Sequence, residues 1–486
     1  MFFLPVTAFI HEIDTARRWD AQQLHGEAAR RARVLAPHIT PERKNVVITH
    51  GNSLDFFADL FAVWLAKGTA VCANPGLTQS ELENIVAFTD AALVLAPSGN
   101  GLAAVKDVPV ICGSSAPDPA ADQVSPPAQS TSLDDPALML FTSGTTGDPK
   151  GVVHSHRNLL ARVALNAAHI GAPALERSLC VLPTHFGHGL IGNCLTPLAT
   201  GGGLFLAPGA GMATAAGLGQ ILQTHAITFM SSVPSFWKMT LRLSKPPAKA
   251  KIRRINIGSA PLSAELWRDV QEWAAGAEVA NMYGITETAN WIGGASSAEF
   301  EPQDGLLGRL WGGAAAVRQK DGRIADRGSG EILLRVPSVM SRYHRRPDLT
   351  DDVLRDGWYA TGDLGSISPD GVLRLTGRER YVIIQGGINI FPEELDLLFE
   401  RHQAVSEACA FGLDDPIAGQ VVGLAVALHD KADTTSDALL AWARERLRPE
   451  AVPRSIHILP EIPKTDRGKL NRDFVARVCK NESQDQ

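Results

Sequence analysis

The sequence has no uninterrupted apolar run of about 18 residues or more, so no transmembrane helix is expected. Its opening, MFFLPVTAFIHE, is apolar but lacks a basic leader and soon meets His11, Glu12 and Asp14, which makes it a poor signal peptide. The 6 cysteines, Cys72, Cys112, Cys180, Cys194, Cys409 and Cys479, form no CxxC pair, which argues against a zinc site or a disulfide framework and for a reducing, cytoplasmic setting. An excess of positive charge is missing too: the formal net charge is −6, which speaks against a nucleic-acid or anionic-membrane binder. The short basic runs (Arg30, Arg31 and Arg33; Arg444, Arg446 and Arg448) have acids among or near them and read as solvated helix faces. Solenoid-type repeats are absent. What remains is an ordinary globular composition, 45% apolar and 20% charged, over 486 residues, enough for two to four domains with a large buried core.

Between residues 44 and 96, strand-like runs (KNVVITH, TAVCANP, AALVLAP) alternate with helix-like ones (LDFFADLFAVWLAKG, SELENIVAFTD), the pattern of a parallel sheet with crossover helices. A Pro-, Ser- and Ala-rich stretch from Gly113 to Pro136 reads as a surface connection. The alternation resumes at Leu138, gives way after Gly305 to short strands and turns, and ends after Arg380 in a compact α+β tail. The expected fold is therefore α/β. A large N-terminal domain (1–379) has parallel-rich sheets with crossover helices and a β-rich subdomain, and a small mobile α+β C-terminal domain covers 380–486.

The most informative string runs from Phe141 to Gly151, FTSGTTGDPKG. Thr142, Ser143, Thr145 and Thr146 interleave with Gly144 and Gly147, and Lys150 follows. Glycines let the backbone approach phosphate closely, unpaired N–H groups and hydroxyls donate to it, and the lysine adds positive charge. The string is not the Walker loop, because no Gly-Lys-Ser/Thr closes it. It resembles the signature loop of the superfamily of acyl-CoA synthetases, peptide-synthetase adenylation domains and luciferases, and the resemblance extends from about Lys44 to about Arg472. By that resemblance, Thr142, Ser143, Gly144, Thr145, Thr146, Gly147 and Lys150 hold the β- and γ-phosphates of ATP.

Further strings follow in the family's order. Pro183-Thr-His-Phe-Gly-His-Gly189 resembles the segment bordering the carboxylate pocket, with His185 the better match and His188 its competitor. Domains that bind α-amino acids usually carry an aspartate in this segment, and none stands here, so an acid without an α-ammonium is favoured. Gly258-Ser259-Ala260-Pro261 and Asn281-Met282-Tyr283-Gly284 resemble the adenine-binding segments, each at the carboxyl end of a strand, where open α/β sheets bind ligands. The resemblance gives Tyr283 a place beside adenine, Thr286 a contact to the α-phosphate, and Glu287 a hold on Mg²⁺, for which a carboxylate is a suitable hard ligand. Asp363, in Tyr359-Ala-Thr-Gly-Asp-Leu-Gly365, can accept from both ribose hydroxyls. Arg378 would contact ribose or phosphate and Arg380 would sit at a hinge, although Tyr381 stands where an acid is common. Gly386 and Gly387 resemble the loop that leaves room for a pantetheine arm. Lys469, in Pro463-Lys-Thr-Asp-Arg-Gly-Lys-Leu-Asn-Arg472, matches the adenylation lysine, whose ammonium can bridge the attacking carboxylate and the α-phosphate.

The family resemblance thus implies an AMP-forming acid–thiol ligase. A small carboxylic acid would be activated with ATP and Mg²⁺ to an acyl-adenylate, then passed to CoA. A carrier-protein phosphopantetheine or an amine is the alternative acceptor, and a non-catalytic nucleotide-binding relative is the second alternative. Catalysis would fall to Lys469, His185, Thr286 and Glu287. Position relative to the motifs places His185, Phe186, Ser231, Val233, Phe236, Gly258 and Trp291 around the acid, a mix of aromatic and small residues suited to a compact aryl or short-to-medium acyl group.

Overall fold

The computed structural model describes residues 4–98, 104–112, 132–142, 150–249, 251–385, 388–430, 432–465 and 469–482. Most of the 113–136 connection lies outside them.

The alternation at 44–96 builds a parallel sheet in which Asn45–Ile48 is flanked by Thr69–Cys72 and Leu93–Ala96. Its strands are nearly continuous apolar runs because helices cover the sheet. The first crossover helix, Leu54–Leu65, starts where the Ser53 hydroxyl accepts from the Phe56 N–H. The next, Gln79–Thr89, starts in a capping box between Thr78 and Glu81. Pro136–Thr142 joins this sheet in parallel, and Lys150–Ser155 returns antiparallel beside it, with Thr142 opposite Lys150.

A second sheet runs parallel through Phe9–Glu12, Gly203–Leu206, Arg177–Cys180, Phe229–Ser232, Arg254–Ile257 and Glu278–Ile285. It then turns antiparallel through Asn290–Ser296 and Leu306–Leu310. Because Leu306–Leu310 also pairs with Leu373–Arg378, the β-rich stretch after Gly305 continues the second sheet edge to edge. A third sheet uses only residues after 382: Ile388–Ile390, Ile383–Gln385, Gly419–Leu428 and Val405–Asp415, with Ser455–Leu459 parallel to Gly419–Leu428. Its apolar cluster, with Ile383, Phe399, Val422 and Leu439, is likewise drawn from residues after 382.

Between this last part and the rest, Phe391 packs close on the buried Gly377, and several ion pairs and hydrogen bonds lie near the surface. Lys238 pairs with Glu400 at 2.9 Å, Arg242 meets His429 at 2.9 Å, and Arg401 pairs with Asp304.

One expectation fails in the first helix. Arg31 is not on a solvated face: it is buried and pairs with Glu27, Asp55 and Asp59, two of them supplied by the neighbouring helix. Arg446 and Arg448 do sit at the surface, with Arg446 over the Trp442 ring and Arg448 donating to the Asn389 carbonyl.

Candidate active site

Three strand ends meet at the carboxyl edge of the second sheet. The central group is His188, the first residue of a π-helix spanning His188–Leu195. Its Nε2 lies 2.6 Å from the Ser231 hydroxyl and its Nδ1 2.7 Å from the Ser259 hydroxyl. Ser231 in turn donates to the Asn256 carbonyl at 3.1 Å. A hydroxyl has one proton, so Ser231 must accept from His188, which puts a ring proton on Nε2. Both nitrogens are used, and in the neutral ring that burial favours, Ser259 donates to Nδ1. Burial pushes the ring's pKa down to about 3, and the positive charge of Lys469 pushes the same way. Lys469, distant in sequence, is thus close enough in the fold for its charge to act on His188.

Lys469 bonds back to Thr465, whose N–H donates to the Lys469 carbonyl at 2.8 Å, while the Lys469 N–H donates to the Thr465 hydroxyl at 3.3 Å. Gly258 lies beside His188, and a Cβ there would sit 3.6 Å from the imidazole Cε1. Ser259 holds a left-handed φ of 69°, uncommon outside glycine, at the bend that aims its hydroxyl at His188. Ala260 and Pro261 continue this bend.

Across the site, the Tyr283 hydroxyl donates to Asp363 at 2.7 Å, and the Arg378 guanidinium pairs with the same carboxylate at 2.8 Å. Asp363 is buried, while the Arg378 side chain is about half exposed (47%). The Asp363 charge holds Arg378 firmly protonated, and burial, then Asp363, raises the Tyr283 pKa. Asp363 and Arg378 are opposite in register, so the pairing follows from the sheet itself. Asn281 serves the scaffold, its amide donating to the Leu306 carbonyl at 2.7 Å, and Met282 is buried behind the edge. Gly284 admits no side chain, because a Cβ would collide with the Asn290 carbonyl.

Thr286–Thr288 forms a single 3₁₀ turn fixed from several sides. The His154 Nε2–H donates to the Thr286 carbonyl at 2.8 Å, the Met340 N–H to the Glu287 carbonyl at 2.7 Å, and the Ser338 hydroxyl to the Thr288 carbonyl at 2.8 Å. Burial pushes the His154 pKa down to about 4, which keeps it a neutral donor. The Tyr343 hydroxyl donates to Glu287 Oε1 at 2.7 Å.

Not every expected residue joins this centre. His185 is buried against Phe186, ring centroids 4.0 Å apart, while His188 is the histidine joined to Ser231 and Ser259. Val233 and Phe236 pack in the apolar cluster with Trp237, Ile257 and Leu262. Trp291 meets His188 edge-on at 5.2 Å. Arg380 pairs with Asp473 at 2.9 Å, on the surface between the end of the second sheet and the last helix. Ser143, Gly144, Thr145, Thr146, Gly147, Gly386 and Gly387 lie outside the described residues, as does the side chain of Thr142. Ser231 and Arg162 do more than the motifs foretold: Ser231 fixes the proton on His188 Nε2, and Arg162 donates to the Trp291 carbonyl at 2.6 Å.

Comparison with known proteins agrees with this geometry. Residues 5–344 match the family model described as AMP-binding enzyme, and residues 394–469 match that described as AMP-binding enzyme C-terminal domain. A sulfoacetate–CoA ligase of Cupriavidus necator is 34% identical over 436 residues, 84% of this chain and 83% of that protein. An oxalate–CoA ligase of Arabidopsis thaliana is 30% identical over 452 residues, 89% and 88% of the two chains. Among solved structures, ATP-bound MatB from Rhodopseudomonas palustris shares the fold at a TM-score of 0.86 and 23% identity, covering 97% of this chain and 96% of that one.

Proposed function

We infer, because the chain belongs to the AMP-binding enzyme family, that it is an acid–thiol ligase that activates a carboxylic acid with ATP and transfers the acyl group to CoA. The observation that carries this reading is the convergence of Tyr283, Arg378 and the Asp363 carboxylate with the Thr286–Glu287 turn, together with a Lys469 charge near enough to act on His188.

The chemistry follows from the positions. A carboxylate oxygen attacks the α-phosphorus of ATP, the bond from that phosphorus to the β-bridging oxygen breaks, and pyrophosphate leaves with the electron pair. Such displacements ask for positioning and charge neutralisation rather than covalent help. Lys469 supplies a positive charge where attacking carboxylate and α-phosphate approach each other. Thr286 donates to the α-phosphate, Asp363 accepts from the ribose hydroxyls, and Tyr283 packs beside adenine. Thr142, Ser143, Gly144, Thr145, Thr146, Gly147 and Lys150 hold the outer phosphates. His188, neutral and doubly bonded, is a wall of the acid site and not a base.

Glu287 fits Mg²⁺: one carboxylate beside a nucleotide's phosphates suits an ion that keeps several waters and few protein ligands. When bound, the ion neutralises charge on the departing pyrophosphate. In the second step a thiolate sulfur attacks the acyl carbon, the bond to the adenylate oxygen breaks, AMP leaves, and the thiol proton passes to solvent. Residues 380–486 form the unit that turns about Arg380 between the steps, replacing Lys469 with the Gly386–Gly387 loop. CoA is preferred over a carrier protein or an amine because the two aligned relatives are CoA ligases by name.

K469A tests the assignment. Acid-dependent ATP–pyrophosphate exchange should fall by about 10²–10³-fold, the usual cost of removing one transition-state charge donor. Thioester formation from a supplied acyl-adenylate should stay within about threefold of wild type. Equal losses in both half-reactions would refute the division of labour.

A further inference from the structure

The acid site has a polar wall that neither the nucleotide nor the carboxylate chemistry explains. The helix His156–Ile170, the π-helix His188–Leu195 and the strand Asn290–Ser296 pack against one another. At their junction Arg162 is fully buried, its Nε donating to the Ser338 hydroxyl at 3.1 Å and its Nη1 to the Trp291 carbonyl at 2.6 Å. Its Nη2 has no hydrogen-bond partner, and no carboxylate pairs with it, among the described residues. Buried arginines are almost always paired, because an uncompensated charge out of water is costly. Burial accordingly pushes the Arg162 pKa down to about 10. Two more buried donors on the adjacent strand, Asn290 Nδ2 and Trp291 Nε1, also lack partners among the described residues.

The backbone points to the same place. Ala289 and Asn290 hold φ values of 59° and 108°, two successive left-handed residues without a glycine, and such strain gathers at functional sites. The Trp291 ring ties this wall to the reaction centre: it meets His188 edge-on, and Lys469 brings its charge to His188. The π-helix closes on this wall at Gly192, where a Cβ would collide with the Asn290 amide and the Trp291 ring, and Phe229 backs that ring at 6.4 Å.

We propose that the acid activated here carries a second anionic oxygen group, a carboxylate or a sulfonate, seated against Asn290 and Trp291 with the Arg162 charge behind them. The proposal rests on the ligase reading and adds its substrate class. Ordered water could satisfy the three donors, and the amide oxygens of Asn166 and Asn193 at the same junction also have no partner among the described residues, but none of these supplies the missing negative charge.

The test is ATP–pyrophosphate exchange by the full chain with acids of about two to six carbons. Each plain monocarboxylic acid is paired with its equal-length counterparts ending in a carboxylate or in a sulfonate. The expected result is a kcat/KM about 100-fold higher for one of the doubly anionic series, because a site built to bond a polar group rejects the analogue lacking it. N290G, compatible with the left-handed backbone, and R162M should each narrow the preference to about tenfold or less, with ATP titration of each variant confirming that the nucleotide site is intact. Exchange supported equally well by the plain monocarboxylic acids would overturn the proposal and leave the ligase reading standing. A preference unchanged in both folded variants would overturn it too. Silence with every acid would remove both readings.

Discussion

The neutrality of His188 can be tested through stability. Its folded pKa of about 3 lies below the ordinary histidine value of about 6.5. Between those values the unfolded chain binds a proton that the folded pocket refuses, so unfolding takes up a proton and stability falls as pH falls. The contribution is fully present above about pH 6.5 and is lost progressively down to about pH 3. At about pH 5 the penalty is 1.36 kcal/mol for each of about 1.5 units, close to 2 kcal/mol. His154, also buried and neutral, imposes a similar slope, so the comparison needs a variant that removes only His188. H188Q keeps polar atoms near Ser231 and Ser259 but cannot titrate. Urea unfolding at about pH 7.5 and pH 5.0 should therefore show H188Q losing about 2 kcal/mol less than wild type over that interval. An equal loss would refute the neutral, doubly bonded ring. A native-state titration near pH 6.5 that disappears in H188Q would refute it as well, and would return the residue to consideration as a base.

Two further outcomes follow from the nucleotide side and from the contact between the parts. D363N removes the charge that Arg378 pairs with and halves the acceptor capacity offered to ribose, so AMP and ATP affinity should fall about 30-fold, roughly 2 kcal/mol, as read by equilibrium titration; unchanged affinity would separate Asp363 from the nucleotide. K238A breaks the partly exposed Lys238–Glu400 pair, worth about 0.5–1 kcal/mol after screening, and should shift the ratio of single-turnover adenylation to thioester formation two- to fivefold toward the thioester step; an unmoved ratio would mean the pair does not hold the orientation that brings Lys469 to His188.

Much of this was legible in the sequence because the signals were local. Apolar runs of four or five residues between capped amphipathic helices announce a covered parallel sheet, and Asn45–Ile48, Thr69–Cys72 and Leu93–Ala96 form one. Tyr283, Asp363 and Arg378 were each assigned to the nucleotide separately, and the sheet register brings them to one point. What escaped was decided by distant partners. His185 and His188 sit three residues apart in one string, and nothing local ranks them; the choice falls to Ser231 and Ser259, 43 and 71 residues further on. Arg31 looks solvated until the next helix delivers Asp55 and Asp59. Arg162 reads as one more polar position on an amphipathic helix, and only the packing of that helix against Asn290–Ser296 turns it into a buried cation. The glycines at 189 and 192 were the one available hint of the π-helix, since both stand where a Cβ would strike a neighbouring residue.

The distribution of ion pairs bears on how one pocket could serve two reactions. Within the C-terminal part, Lys469 is followed three residues later by Arg472, which is buried and pairs with Asp396 at 2.5 Å while donating to the Ala410 carbonyl at 2.8 Å. Asp396 also accepts from the Ala410 N–H at 2.6 Å. Breaking such a buried pair by removing one partner costs about 3–5 kcal/mol, so the chain just after Lys469 is anchored to its own sheet. The polar contacts from that unit to the rest are of another kind: Lys238–Glu400, Arg401–Asp304 and Arg242 with His429 are exposed or half-exposed, each worth at most about 1 kcal/mol in water. A cation anchored within a unit that is itself held loosely will move only as that whole unit moves. That is the mechanical requirement of the proposed mechanism, in which Lys469 serves adenylation and is withdrawn before the thiol attacks.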